Sequence, residues 1–300
     1  MSTKTEALLE VKDLTVEIPG VLGERQIGLR KVSLALAPGE IVALAGEAGS
    51  GKSLLARLVA GIADPRAKVL AGSVEFEGAS LTGKKRRALL ALRRGPVTVV
   101  ASEASAPSDP DRSVRQWLRE VLRLAKGKTR EWEDAFFHAG LLEPEQLLPR
   151  RLADLAPLDR KRLGLARALI VGSRLLVSEE AGADLDPLAE AAWYEWLVRA
   201  RDESGLAVLA TTGSLRGVER FADRVAVFFE GGILESGTPV EIVAAPRFAY
   251  TREFRACEPD LADLPRDLPV IRRAAVREAE EAVHQAATSL DASSDRGRQP

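Results

Sequence analysis

The sequence is poor in side chains that bind metals or undergo redox chemistry. Among 300 residues it contains a single cysteine, Cys257, and only two histidines, His138 and His284. One cysteine cannot form an internal disulfide, and it makes a cysteine-ligated cluster within this chain implausible. We therefore expect a reducing compartment, an ordinary packed thiol at Cys257, and surface or helix-packing roles for both histidines.

Long apolar runs and an excess of charge of one sign are also missing. No apolar run approaches the ~18 residues that span a bilayer, and the N-terminus MSTKTEALLE lacks the apolar core of a signal peptide. We therefore expect a soluble chain, or one that is attached to a membrane only through partners. The formal net charge of −1 gives no reason to expect a nucleic acid as partner, because acidic residues offset the basic clusters at 84–87 and 160–162.

The chain does contain 46% hydrophobic residues, enough for a proper core in one large or two modest domains. Its most informative stretch is IVALAGEAGSGKSLL at 41–55. There an apolar, strand-like run meets a glycine-rich turn that leads directly into an apolar-periodic helix beginning near Ser53. This order of strand, glycine-rich turn and helix is the context of a phosphate-binding P-loop.

The chemistry of a P-loop explains the residue types in this stretch. Gly46, Gly49 and Gly51 permit backbone angles that a Cβ would forbid, so consecutive N–H groups can surround an anion at the positive end of a helix. Lys52 adds a positive charge for the outer phosphates, and Ser53 offers a hydroxyl to Mg²⁺. The predicted nucleotide-binding residues are Gly46, Glu47, Ala48, Gly49, Ser50, Gly51, Lys52, Ser53 and Leu54.

The other periodic segments predict an α/β fold. Alternation at 7–18 and 28–37 predicts a small antiparallel sheet before the P-loop. Short apolar strands separated by helical spacers imply a mainly parallel sheet covered by helices, and residues 113–167 between them are mostly helical in pattern. These strands are VTVVA (97–101), RLLVS (174–178), LAVLA (206–210) and RVAVFF (224–229).

Local signals predict several boundaries. The helix from Ser53 is expected to end at Asp64-Pro65, and residues 230–232 are expected to form a hairpin turn. The sequence Thr238-Pro239-Val240-Glu241 has the form of a capping box, so a helix should begin there. Residues 272–287 fit a helix, whereas 291–300 lack large apolar residues and are expected to be disordered.

Several of these segments occur in an order that is typical of one family. The P-loop, RLLVSEE, the helical block and ADRVAVFFEGGILESGTPVEI together resemble an ATP-binding-cassette (ABC) transporter ATPase subunit over about residues 7–265. The segment GTPVEIVAAPRFAYTREFRACEPDL further resembles the C-terminal extension of the oligopeptide, dipeptide and nickel importer subgroup.

The resemblance implies a P-loop NTPase core with helices on both faces of its sheet, an N-terminal antiparallel β subdomain and a helical insertion. The nucleotide-binding domain would occupy 1–265, with the insertion at about 103–167 and the importer-type extension at about 236–265. Residues 266–300 would form a C-terminal helix and a tail.

The resemblance also implies a mechanism and a set of partners. Two such domains would pair head to tail, each closing its P-loop against a signature loop of the other. ATP binding would close the pair and hydrolysis would reopen it, with ATP and Mg²⁺ as cofactors. Two transmembrane permease subunits would convert this motion into transport, and a solute-binding protein would act indirectly. The chain would then be peripheral, at the cytoplasmic face of the cell membrane.

The segment that corresponds to Walker B departs from the family pattern. The family has an apolar strand ending in Asp-Glu, whereas RLLVS is followed by Glu179-Glu180. Glu180 falls on the position that polarises the attacking water and is the predicted catalytic residue. Ser53 and Glu179 are the predicted metal-binding residues, although Glu179 has one methylene more than aspartate. Because Mg²⁺ tolerates poor geometry badly, we expect a displaced or water-mediated contact there. ADLD at 183–186 matches the D-loop spacing.

Four further positions depart from the family pattern. The signature Leu-Ser-Gly-Gly-Gln aligns with Leu155-Ala156-Pro157-Leu158-Asp159, which loses a hydroxyl, an N–H donor and room for close backbone approach. The switch histidine aligns with Gly213. The Q-loop glutamine aligns with Ser102, or with Ala101 if the register slips by one. The aromatic residue that stacks on adenine aligns with Ile18 or its neighbours.

These departures decide which functional hypotheses are carried forward. Because losing a positioned acid–base group typically costs ~10²–10⁴ in rate, brisk turnover at this P-loop is not expected. A homodimer would combine every defect at both sites, so we predict a non-identical ABC ATPase partner. The leading hypothesis is an ATP-binding subunit of an importer for peptides or related small solutes. The alternatives are a non-hydrolytic ATP-dependent regulator or clamp, and a soluble family member that acts on ribosomes or DNA.

Overall fold

The computed structural model describes residues 7–20, 24–101, 109–125, 131–258 and 269–289. The predicted Q-loop position Ser102 and the predicted disordered segment 291–300 lie outside these residues. The strands are β1 (Leu9–Pro19), β2 (Arg25–Leu36), β3 (Ile41–Ala45), β4 (Lys68–Phe76), β5 (Ala79–Ser80), β6 (Val97–Val100), β7 (Leu175–Ser178), β8 (Ala207–Thr212), β9 (Arg224–Phe229) and β10 (Gly232–Gly237).

Helices fill most of the sequence between these strands. They are α1 (Lys52–Val59), α2 (Arg86–Arg93), α3 (Val114–Ala125), α4 (Trp132–His138), α5 (Pro144–Leu147), α6 (Pro157–Val171), α7 (Pro187–Ser204), α8 (Pro239–Ala244), α9 (Ala249–Ala256) and α10 (Arg273–Ser289). Within the described ranges, none of these helices has both the length and the apolar character that a membrane crossing requires.

The central sheet positions the functional site. Its six strands have the order β10-β9-β3-β8-β7-β6, and β3, β6, β7, β8 and β9 pair in parallel, with β10 antiparallel to β9. Every residue of β3 is buried, as expected for a strand covered on both faces. The mainly parallel sheet is thus confirmed. The carboxyl ends of β3, β7 and β8 lie at one edge, which brings the segments after Ala45, Ser178 and Thr212 together.

The second sheet confirms the predicted antiparallel subdomain. Its strand order is β2-β1-β4-β5, with β1 antiparallel to both β2 and β4. Its apolar face packs with α1 and with one face of the central sheet in a single buried cluster that includes Leu9, Leu36, Val42 and Leu55. The P-loop helix is therefore fixed between the two sheets.

The predicted end of α1 is wrong. The helix ends at Val59, well before Asp64-Pro65, and Gly61 follows with a left-handed φ of 66°. The Gly61 N–H donates to Leu58 O and the Ile62 N–H donates to Arg57 O, which is the hydrogen-bond pattern of a Schellman motif. Because this turn already satisfies the last carbonyls of the helix, the chain leaves the helix before it reaches the proline.

The segments predicted to be helical after residue 112 are confirmed. Helices α3 to α6 fall in the stretch 113–167, and α6 continues to Val171, where Gly172 ends it with a φ of 67°. The hairpin of β9 and β10 and the capping box also form as predicted, with Thr238 Oγ1 accepting from the Glu241 N–H. Helix α10 confirms the helix predicted at 272–287 and packs on β10 and β2.

Candidate functional site

A cavity of about 390 Å³ opens between the P-loop and the N-terminal sheet. The sheet contributes Ile18, the position aligned with the base-stacking aromatic residue, and Gly28, while the hairpin turn contributes Glu230 and Gly231. Strand β2 also contributes Gln26, Ile27 and Arg30, and the P-loop contributes Gly49, Gly51, Lys52, Ser53 and Leu54. The cavity therefore joins a phosphate-binding element to an aliphatic surface of the kind that packs against a flat base.

The backbone of the P-loop is curved around the start of α1. Gly46 and Gly51 have φ angles of 153° and 104°. A Cβ at Gly46 would lie 2.5 Å from Phe228 O, and a Cβ at Gly51 would lie 3.0 Å from Gly28 O. These two glycines are therefore required by both angle and space. The N–H groups in the first turn of α1 lack intrahelical partners, as at every helix start, and carry the positive end of the helix dipole.

One buried hydroxyl in the loop has no hydrogen-bond partner among the described residues. The Ser50 side chain is 6% exposed, and within the described residues its Oγ has no hydrogen-bond partner. A buried hydroxyl without a partner is costly, but Ser50 is not one of the residues that line the cavity. Glu47 and Ala48, by contrast, are exposed at the outer side of the turn.

Lys52 and Glu180 lie together at the carboxyl edge of the sheet. Lys52 is 3% exposed, and its Nζ donates to Glu47 O at 3.1 Å and lies 3.5 Å from Glu180 Oε1. Glu180 has a left-handed φ of 46°, held by a 2.8 Å hydrogen bond from its N–H to Thr211 Oγ1. A strained non-glycine conformation that the surroundings enforce is common at functional sites. The predicted catalytic carboxylate and the phosphate-binding lysine thus share one location.

Glu179, at the predicted metal position, pairs with the side chain of Arg57. Glu179 is 3% exposed, and its carboxylate accepts three hydrogen bonds, at 3.1, 3.2 and 3.1 Å, from the guanidinium of Arg57. The carboxylate in turn raises the pKa of Arg57. Sequence reasoning missed Arg57, although its position four residues after Ser53, on the same face of α1, was the available signal.

Helix α9 contacts the site from the C-terminal side. The Tyr250 hydroxyl donates to Glu47 Oε2 at 2.9 Å, and the Leu215 N–H, just after the switch-histidine position, donates to Glu258 Oε1. Sequence reasoning missed both contacts because no periodic pattern relates residues so far apart in the chain. The segment that contains Tyr250 and Glu258 therefore reaches two of the loops that surround the predicted catalytic edge.

The signature-like segment forms the start of α6. Ala156 is its N-cap, with φ −61° and ψ 150° and no side-chain cap, and Pro157 occupies the first helical position. Leu158 is partly buried against the large hydrophobic cluster, and Asp159 places a negative charge in the first turn. This helix start has lost one N–H donor and gained an acid, so it is a poor anion site.

The remaining predicted positions lie apart from the P-loop or offer little chemistry. Gly213 follows β8, and a Cβ placed there would meet nothing within 4 Å. Ala101 follows β6 as the last described residue of its range. His138 pairs with Asp134 and Glu203, and His284 approaches Glu280 O within α10.

Cys257 follows α9 and is partly buried. Burial raises the pKa of its thiol above the ordinary value, with smaller contributions from Glu47 and Glu253. The raised pKa favours the protonated, unreactive form. The side chain thus behaves as the ordinary packed thiol that the sequence predicts.

Comparison with known proteins gives the family. Residues 29–183 match the family described as ABC transporter. The chain is 33% identical over 264 residues to the peptidoglycan transport ATP-binding protein YejF of Agrobacterium fabrum, covering 86% of this chain and 48% of that protein. It is 35% identical over 237 residues to the nickel import ATP-binding protein NikE of Escherichia coli O157:H7, covering 76% and 86% respectively.

A solved structure agrees at the level of fold. The cbiO1 protein from Clostridium perfringens, part of the ABC transporter complex cbiONQ, superposes with a TM-score of 0.65 at 23% identity, covering 80% of this chain and 92% of that one. The chain spans about half the length of YejF but most of the length of NikE. With its P-loop, two-sheet architecture and these matches, the chain belongs to the ABC transporter family.

Proposed function

We propose that this chain is the ATP-binding subunit of an ABC importer for peptides or related small solutes. The observation that carries the proposal is the cavity in which Lys52 and Ser53 of the P-loop and Ile18 of the N-terminal sheet converge. The P-loop would hold the phosphates, and Ile18 with Leu54 would pack on the base. The importer-type segment after Gly237, and relatives named for peptidoglycan and nickel transport, support the class of solute.

The proposal includes a partner of different sequence. One composite site would join Lys52 and Glu180 to the signature loop of a second ABC ATPase subunit. The other would join the partner's P-loop to the altered signature at 155–159, whose first turn offers fewer donors and an additional acid. Each site is then compromised on one side only, whereas a homodimer would be compromised on both.

The subunit would act at the membrane without crossing it. Two permease subunits would hold it at the cytoplasmic face, and a solute-binding protein would deliver the solute to them. In this arrangement the chain itself holds nucleotide at a slow or structural site, and the partner supplies most of the turnover.

The decisive experiment uses the chain purified with its companion subunits. ATP binding should be measurable and should be lost in Lys52→Ala, because the buried ammonium is the cation placed at the phosphates. Turnover should survive Glu180→Gln and disappear when the partner's catalytic glutamate is replaced. No detectable ATP affinity would refute the proposal, and turnover that depends on Glu180 alone would refute the division of labour.

A second candidate is a non-hydrolytic ATP-dependent regulator or clamp. It is favoured by the altered start of α6, where Pro157 and Asp159 replace anion-binding donors. ATP-driven dimerisation without turnover would support it. Co-purification with hydrophobic membrane subunits would favour the importer instead.

A further inference from the structure

The side chain at the expected metal position is already neutralised by the protein. Glu179 follows β7, and its side chain is 4% exposed, whereas that of Arg57 is 50% exposed. Arg57 Nε lies 3.1 Å from Oε1 and 3.2 Å from Oε2, and Nη2 lies 3.1 Å from Oε2. The guanidinium therefore covers both carboxylate oxygens from the solvent side.

The ion pair between Arg57 and Glu179 has the geometry of a strong, charge-assisted interaction. A planar guanidinium matches a carboxylate with two N–H donors in a fixed geometry, and such charge-assisted pairs are stronger than neutral hydrogen bonds. Glu179 is buried, so moving the guanidinium away would leave an unpaired buried charge, which is strongly unfavourable. Because Arg57 lies one helical turn after Ser53, it also stands beside the only hydroxyl that the sequence predicts as a metal ligand.

The donor set does not fit Mg²⁺. This ion demands near-octahedral oxygen ligands at about 2.0–2.1 Å and is normally held through one or two carboxylates together with phosphates. Here the Glu179 oxygens accept from Arg57, and Glu180 Oε1 lies 3.5 Å from Lys52 Nζ.

We propose that the P-loop of this chain binds its nucleotide without a divalent cation. The inference rests on the proposed function, because it concerns the same site. The phosphates are met by Lys52, by the N–H groups of the loop and by the start of α1, while Arg57 keeps the carboxylate of Glu179 neutralised. The ligand is thus a metal-free nucleoside di- or triphosphate.

The test is a titration of the chain with a fluorescent ADP or ATP analogue, in EDTA and in excess MgCl₂. For the wild type we expect dissociation constants that agree within about threefold in the two conditions. A larger preference for MgCl₂ overturns the inference while nucleotide binding stands. Absence of binding in both conditions overturns the proposed function instead, so the two failures are distinguishable.

Arg57→Ala gives the sharper result. It leaves the buried carboxylate of Glu179 unpaired next to Ser53, so affinity in EDTA should fall by about tenfold or more and MgCl₂ should restore it. The matched control is Arg66→Ala, which breaks an exposed pair with Asp64 and should leave the ratio unchanged. An Arg57→Ala protein whose affinity remains independent of Mg²⁺ would contradict the role given to the pair.

Glu179→Gln covers the case in which Arg57→Ala fails to fold. The amide keeps the size of the side chain and one acceptor for Arg57, and circular dichroism verifies the fold. Because the carboxylate is not a metal ligand in this proposal, the variant should show the same small difference between EDTA and MgCl₂ as the wild type. A loss of affinity confined to the MgCl₂ titration would identify Glu179 as a ligand and overturn the inference.

Discussion

The hydroxyl of Tyr250 donates a hydrogen bond of 2.9 Å to Glu47 Oε2, which joins α9 to the P-loop across 203 positions of sequence. The tyrosine is 1% exposed, and its ring lies 4.7 Å from Phe229 and 6.0 Å from Phe254, centroid to centroid. Glu47 itself is exposed at the outer side of the turn. A rigid, buried ring thus holds a carboxylate on the exposed side of the P-loop.

Tyr250→Phe should separate this contact from the packing of the ring. The aromatic contacts remain, so the free energy of unfolding should fall only by the about 0.5–1.5 kcal/mol of one hydrogen bond. The loop loses its anchor at Glu47, and we expect nucleotide affinity to fall by about threefold or more, because an ordered loop binds with less entropic cost. Urea unfolding and a nucleotide titration measure the two effects.

The other tyrosine of the chain provides the control. Tyr194 is 2% exposed, stacks on Phe221 and donates its hydroxyl to Glu190, one turn earlier in α7. Tyr194→Phe should cost similar stability and leave nucleotide affinity unchanged. Equal losses of affinity in both variants would mean that Tyr250 acts through general stability alone.

The features that the sequence predicts well are those encoded locally. The strand at 41–45, the glycines of the P-loop and the capping box at Thr238 each depend on residues within a few positions of one another. The end of α1 was misjudged for a local reason. The proline at 65 is a strong helix terminator, but Gly61 closes the helix first through its left-handed conformation.

The partners of the site residues could not be predicted in the same way. Arg57 meets Glu179 over 122 positions, and Glu258 meets Leu215 over 43. Such pairs arise because parallel strands bring distant segments to one edge of the sheet, and no pattern in one sequence specifies which charges meet there. Glu179 was expected near a metal ion because it falls on the Mg²⁺ position of the family pattern, which carries no information about Arg57.

The start of α6 lacks a capping side chain, so a substitution there can stabilise the protein. Ala156 occupies the N-cap with extended backbone angles and offers no side-chain acceptor to the first-turn N–H groups. Ala156→Ser should therefore raise the free energy of unfolding by about 1 kcal/mol, measured by urea denaturation. The control is Ala153→Ser, an exposed change in the preceding 3₁₀ turn that should have almost no effect. Equal effects of the two substitutions would contradict the capping argument.

Gly213 can accept the histidine that the family pattern places there. A Cβ at this position meets nothing within 4 Å, and its φ is not left-handed. Gly213→His should change the free energy of unfolding by no more than about 0.5 kcal/mol. In the complex with its partner it should raise turnover at this P-loop by about tenfold or more, because a positioned acid–base group is restored.

The control for this gain is Gly95→His, which also introduces a histidine into open space. Gly95 precedes β6 at the other end of the strands, so its substitution should not affect turnover. The comparison is best made in a complex whose partner lacks its own catalytic glutamate. An unchanged rate in Gly213→His would show that a feature other than the missing histidine limits turnover at this P-loop.

Glu258 should give stability a dependence on pH. Burial raises the pKa of its carboxyl above the ordinary value near 4.5, although the Leu215 N–H, Ser214 and the positive charge of Arg216 oppose the shift. The folded state therefore holds this proton more tightly than the unfolded state. The resulting contribution to stability is complete below pH 4.5 and is lost as the pH rises through the folded pKa.

Glu258→Gln removes this titration, so the stability of the wild type relative to the variant should fall between pH 4 and pH 7 in urea unfolding. Glu241→Gln is a control of opposite sign. Hydrogen bonds from Thr238 lower the pKa of Glu241, so its contribution is present above pH 4.5 and is lost as the pH falls through the folded pKa. Relative to that variant the wild type should gain stability as the pH rises. Parallel slopes for the two variants would show that at least one of the two carboxyls does not titrate as its surroundings require.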